Sequence, residues 1–164
     1  MREKITSMTP TLSISIARLQ ETLTFVNALR RRVRDDARAL DAAERIASAL
    51  FGAGERLAVY GSLIPGKENH HLVSSIGGMW STGYFEGKFY ERGWGAGLGY
   101  PAARWMPGGA VIPAHVLTAS SLPEHWRRLD DFEGSDYRRI LVPVFLDAGS
   151  IVVCNLYELH VEET

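Results

Sequence analysis

The stretch Arg56-Leu57-Ala58-Val59-Tyr60-Gly61-Ser62-Leu63-Ile64-Pro65-Gly66 decides the fold. Four apolar residues of strand length, Leu57 to Tyr60, are broken sharply by Gly61-Ser62. Two readings of that break stand side by side. One is an ordinary strand-to-loop turn. The other is a turn that exposes successive backbone N–H groups, which makes a site for an anion or a carboxylate. Gly61, with no side chain, then lets a ligand approach the backbone closely.

Upstream of this strand the chain has another character. Between Thr11 and Phe51 there is neither Gly nor Pro, as expected of helix. Leu12, Ile16, Leu19, Leu23, Val26, Val33, Ala37 and Leu40 follow steps of four and three, with Arg30 interrupting one position. Ala43, Ala47 and Leu50 extend this heptad-like stripe. The segment reads as one long helix or as two broken near Asp35-Asp36. Its stripe is suited to a homodimer seam or, alternatively, to a hairpin folded onto its own barrel. Arg30-Arg31-Arg32 and Arg34 read as a solvated helix face.

Downstream the chain is rich in Gly, Pro, aromatic and β-branched residues. Asn69 is placed to cap a short helix running to Ile76, with Gly77 ending it. Strands are expected at 79–85, 87–91, 110–118, 138–146 and 150–159. One helix interrupts them: Ser121-Leu-Pro-Glu124 has the capping-box spacing, Leu122, Trp126 and Leu129 share a face, and Gly134 is placed to end it. The fold class is therefore α+β, a small mixed β-barrel of about six or seven strands with one inserted helix, preceded by a helical segment. The expected division is a helical extension over 1–54 and the barrel domain over 55–164.

A second stretch carries chemistry: Leu129-Asp130-Asp131-Phe132-Glu133-Gly134-Ser135-Asp136-Tyr137-Arg138. It places four carboxylates at a helix C-terminus, where the helix dipole disfavours them. One reading is a solvated acidic turn. The other is a functional carboxyl whose pKa is raised by burial and by negative neighbours, making Glu133 a general base suited to neutral pH.

Together the two stretches resemble the γ-glutamylcyclotransferase superfamily, particularly its AIG2-like and γ-glutamylamine cyclotransferase branches. Tyr60-Gly61-Ser62-Leu63 with Pro65-Gly66 and Asn69 is similar to the family's substrate loop. The run from Leu129 to Gly134, then Tyr137-Arg138, is similar to its catalytic-glutamate motif. Gly83-Tyr-Phe-Glu-Gly87, Tyr100-Pro101-Ala102 and the run from Val153 to Tyr157 resemble further family segments in the right order. Pro113 departs from the pattern, standing where the family commonly has Gly, and leaves the strand pairing there open. The resemblance implies a small-molecule γ-glutamyl substrate whose own α-amine attacks its γ-carbonyl, releasing 5-oxoproline and an amine or amino acid. It implies Glu133 as the proton carrier, backbone N–H groups at Gly61, Ser62 and Leu63 as substrate binders, and Tyr60 and Tyr157 as pocket wall. The alternative is a catalytically silent or regulatory small-molecule-binding module on the same fold.

Other signals point away from other functions. The 164 residues carry a formal net charge of −1, which gives no basic field for nucleic acid. No run is apolar enough for a membrane helix, and no export signal is read. The lone Cys154 permits no intrachain disulfide, fits a reducing cytoplasm, and reads as a small core residue. His70, His71, His115, His125 and His160 lack metal-ligand spacing. The glycines from Gly93 to Gly99 precede Tyr100-Pro101 and not a helix, so they make no nucleotide loop and read as a flexible loop at the pocket mouth. Ser62 lacks the Gly-x-Ser-x-Gly setting of a serine hydrolase. No metal or other cofactor is expected. The four tryptophans read as core or pocket wall.

Overall fold

The computed structural model describes residues 15–33, 35–91 and 93–160. Leu12 and Arg34 lie outside them. Among the described residues six strands form: β1 (Arg56–Val59), β2 (Met79–Tyr90), β3 (Ala102–Trp105), β4 (Ala110–Thr118), β5 (Tyr137–Leu146) and β6 (Ile151–Leu159). Five of them close in the order β2-β4-β1-β6-β5, with β5 returning to β2 through Gly83↔Leu146 and Tyr84↔Phe145. Only β1 and β6 run parallel among these pairs; β3 adds antiparallel to the far half of β2. The fold is thus α+β, a closed barrel with one extra strand.

Closure depends on a glycine. A Cβ on Gly83 would stand 2.3 Å from the Phe145 carbonyl oxygen, so any side chain would push β5 off β2. The expected strands at 79–85 and 87–91 are one strand, because Gly87 lies within it under the β3 backbone and does not break it. β3 was not expected; it is only four residues long and has no clear alternation. Pro113 pairs opposite Tyr84 in β4. It lies beyond His115, the last β4 partner of β1, so a missing N–H is tolerated at this one-sided position.

The barrel interior is filled by Ala58, Phe85, Ile112, Val116, Ile140, Val142, Cys154 and Leu156, among others. The opposite faces of the same strands are buried too. Leu57, Val59, Leu117 and Tyr157 pack against Leu122, Trp126 and Leu129 of the inserted helical segment. That segment is a 3-10 turn followed by a helix, here α4 (Trp126–Glu133). Ser121 does not cap it: its hydroxyl donates to the Ile76 carbonyl at 3.1 Å, leaving Pro123 in the first turn to start it. The short helix α3 covers only His71–Ser74. Asn69 does not cap it, because its side chain is bonded elsewhere (below).

Among its described residues the N-terminal segment forms two helices, α1 (Ile16–Arg32) and α2 (Ala37–Phe51), split where Asp36 accepts from the Arg38 and Ala39 N–H groups. The apolar stripe serves the chain's own barrel: Leu23 and Ala47 pack on Leu141 and Val153, with Leu19 and Val26 alongside. The middle of the face offered as an interchain seam, from Leu19 to Val26 with Ala47, is therefore covered within the chain, while Ile16 and Ala37 are exposed. Leu50 is exposed as well. Asn27 fixes the register. Its amide donates to the Leu141 carbonyl and accepts the Leu141 N–H, both at 2.8 Å, completing β5 on the side where β2 does not yet pair. Arg30 is not on a solvated face; it is 7% exposed and bonded to Asn155 and Glu44, while Arg31 and Arg32 are exposed.

Candidate functional site

The chain leaves β1 at Tyr60 and turns through residues 61–70. This turn is stapled to itself. The Asn69 N–H donates to the Ser62 carbonyl at 3.0 Å, the Asn69 amide donates to Ser62 Oγ at 2.9 Å, and the Leu63 carbonyl pairs with His70 Nδ1 at 2.9 Å. Such internal bonding holds a loop in one shape without strands. Gly61 has no left-handed backbone angle, and a Cβ there would meet its nearest neighbour, Tyr100, at an ordinary 3.7 Å.

Beside this turn lies a cleft of about 450 Å³, counting its open mouth, lined by Ala58, Val59, Tyr60, Gly61, Ser62, Leu63, Tyr100, Pro101, Glu133, Tyr137 and Tyr157. Every residue singled out from the sequence as a site candidate borders it. Glu133 arrives as the last residue of α4, which ends because Gly134 takes φ 70°. Its carboxyl is buried, and that burial, with Asp130 adding to it, pushes its pKa up to about 7. The carboxyl is thus divided between acid and base near neutral pH, as a proton carrier requires. Asp130 is the member of the acidic cluster that adds to this shift; Asp131 and Asp136 are exposed.

The two tyrosines of the wall are fixed through their hydroxyls. Tyr60 donates to the Tyr157 carbonyl at 2.8 Å and accepts the Ala103 N–H at 3.1 Å, joining β1 to β6 and β3. Tyr157 donates to Asp130 Oδ1 at 2.6 Å. Burial raises both phenols above their ordinary range, so they stay neutral and line the cleft with rings.

The loop before β3 is a 3-10 turn, Trp94–Leu98, and it delivers Tyr100 and Pro101 to the cleft. The Tyr100 hydroxyl donates to the Glu68 carboxylate, joining the two loops across the mouth. Gly93 lies so near the Tyr137 ring that a Cβ would stand 2.6 Å from its hydroxyl oxygen. Tyr137, Tyr100 and Pro101 lie within the segments quoted for the resemblance, but nothing in their spacing marked them as cleft wall. Arg138 and Glu158 form a buried ion pair at 2.7 Å, and Glu158 also accepts the Trp105 N–H at 3.0 Å. No His, Cys, Asp or Glu group among the described residues could hold a metal ion, and none of the described helices is long and apolar enough to cross a membrane.

The family model described as gamma-glutamyl cyclotransferase, AIG2-like, matches residues 57–164. Among solved structures, YkqA from Bacillus subtilis is 25% identical with a TM-score of 0.50, over 65% of this chain but only 36% of its own length. An AIG2-like protein from Mus musculus is 26% identical with a TM-score of 0.49, over 63% of this chain and 76% of its own. No curated protein matches the sequence.

Proposed function

Because the chain belongs to the gamma-glutamyl cyclotransferase, AIG2-like family, we propose that it is a γ-glutamyl cyclotransferase and that Glu133 is its proton carrier. The observation carrying this is the buried Glu133 carboxyl, with its pKa raised to about 7, in the wall of the same cleft as the turn at Gly61, Ser62 and Leu63. The substrate supplies the nucleophile. Its α-amine nitrogen bonds to its γ-carbonyl carbon as the Glu133 carboxylate takes a proton from that nitrogen. The tetrahedral carbon then expels the amide nitrogen, which receives the proton back from Glu133. The products are 5-oxoproline and a free amine or amino acid; no water is consumed.

Backbone N–H groups at Gly61, Ser62 and Leu63 hold the glutamyl group and its oxyanion, as preorganised dipoles do best when water is excluded. The rings of Tyr60 and Tyr157 hold the substrate's chain in near-attack geometry. In this reading the catalytic unit is 55–164, residues 1–54 are an extension, and the thiol-only Cys154 belongs with a reducing cytoplasm. A homodimer through the extension would use its outer side, where Phe25, Leu29, Ile46 and Leu50 are exposed.

The test is incubation with a panel of γ-glutamyl amino acids and amines, with 5-oxoproline measured. N-acetylating the α-amine of an active substrate should stop the reaction, because the attacking atom is blocked. Release of free glutamate would mean hydrolysis and defeat the proposal. Binding without any product would make the protein a silent module.

A further inference from the structure

Residues before 57 lie outside the family match, yet two of them stand in one hydrogen-bonded chain with the residue that neighbours Glu133. Asp130 lies one helical turn before Glu133 on α4. Its carboxylate accepts Tyr157 Oη at 2.6 Å, Arg139 Nε at 2.9 Å and Arg139 Nη2 at 3.3 Å. The same guanidinium donates through Nη1 to Asn155 at 3.1 Å and to Glu44 of α2 at 3.4 Å. Glu44 in turn accepts Arg30 of α1 at 2.7 Å. Arg139 lies over the Trp126 ring at 4.5 Å, which fixes its plane. A second cleft runs beside this chain. It is lined by Arg30, Glu44, Asp130 and Arg139 and shares Tyr137 and Tyr157 with the first.

We propose that Asp130 is a positioning residue for Glu133 and that the N-terminal hairpin acts on it through Arg139. Glu44 and Asp130 divide one guanidinium, and their division sets how much of the Asp130 charge is left to act on Glu133. Arg139 is a planar donor fork that can serve two carboxylates at once. Asp130 is 43% exposed on its side chain, so its influence is partly screened and can be tuned, where a buried charge would be fixed. The ionisable groups that share the wall of the first cleft with Glu133 are phenols: Tyr60 after β1, Tyr100 from the loop, Tyr137 from β5 and Tyr157 from β6; Asp130 lines the second cleft. Arg138 and Glu158 neutralise each other. Asp130 stands one helical turn from Glu133 and shares Arg139 with Glu44, which makes it a charged group through which the hairpin can act.

The consequence for turnover rests on the cyclotransferase reading, but the test does not. The full chain is prepared with carbon-13-labelled glutamate, and the Glu133 carboxyl signal is identified by its loss in Glu133→Gln. Its titration midpoint is then followed by NMR. Asp130→Asn removes a like charge and should lower the midpoint by roughly half a pH unit, the screened end of such effects. Glu44→Gln frees Arg139 for Asp130 alone and should lower it in the same direction by less. Midpoints unmoved in both folded variants would overturn the proposal. If Asp130→Asn does not fold, Glu44→Gln decides alone. Failure to make 5-oxoproline from any γ-glutamyl compound would defeat the functional reading and leave the titration result standing.

Discussion

A carboxyl group buried at the negative end of a helix is a burden on the folded state, and at Glu133 the burden depends on pH. Its folded pKa is about 7 against an ordinary 4.5. The folded chain therefore binds this proton more tightly than the unfolded chain. The group's contribution to stability is highest below about pH 4.5, declines as pH rises toward 7, and is lost above it, a change of roughly 3 kcal/mol. Glu133→Gln removes the ionisation, so the variant should be the more stable protein at about pH 8 and lose that advantage near pH 4, as read from urea midpoints. The same variant should lose turnover by about 10²–10⁴-fold in a 5-oxoproline assay. Wild-type turnover should rise with pH through about 7 as the base form appears. Gly61 gives a separate test. No protein atom crowds its missing Cβ, so Gly61→Ala should fold normally and, if Gly61 binds substrate as proposed, still raise KM several-fold as the added methyl enters the cleft. An unchanged KM would remove Gly61 from the binding surface. The site candidates were legible because each belongs to a short motif of distinctive composition. Arg139 and Glu44 were not, since their partners are distant in sequence and only the fold brings them together.

At the scale of elements, the helices and long strands followed from their patterns, and the exceptions have physical causes. Ser121 has the spacing of a capping residue, but its hydroxyl reaches the Ile76 carbonyl instead; a tertiary acceptor won over a local one. Gly87 looks like a strand break and is a strand interior, because β3 approaches too closely for a side chain. Arg30 looks like a break in an apolar stripe and is a buried donor to Asn155 and Glu44. No sequence rule separates these cases without knowing what lies opposite. Asn27 is a further polar residue at a core position. Asn27→Leu would keep much of the volume and leave the buried Leu141 N–H and carbonyl without partners. At about 1–3 kcal/mol for each unsatisfied group, the variant should lose roughly 2–6 kcal/mol in urea unfolding. A loss within error would mean that water replaces the amide.

At the scale of the molecule, three apolar clusters share one set of strands: one inside the barrel, one under α4, and one under the N-terminal hairpin. The closed ring explains why β1, only four residues long, can carry the turn of the site: both its faces and both its edges are covered. The outer side of the hairpin leaves Phe25 and Leu50 about two-thirds exposed, a surface that self-association would cover. Replacing both with Asp should convert a dimeric parent to a folded monomer by light scattering; a monomeric parent would dispose of the dimer. The Asn27 amide has one more consequence. Where it meets Leu141 it occupies the place another strand would take. A fragment begun at Arg56, one residue before the family match starts, would present that stretch of backbone bare. Such an edge templates pairing with a neighbouring molecule. The shortened protein should therefore go into inclusion bodies or fibrils even if its cleft residues are intact, and its recovery should improve when the hairpin is supplied in trans.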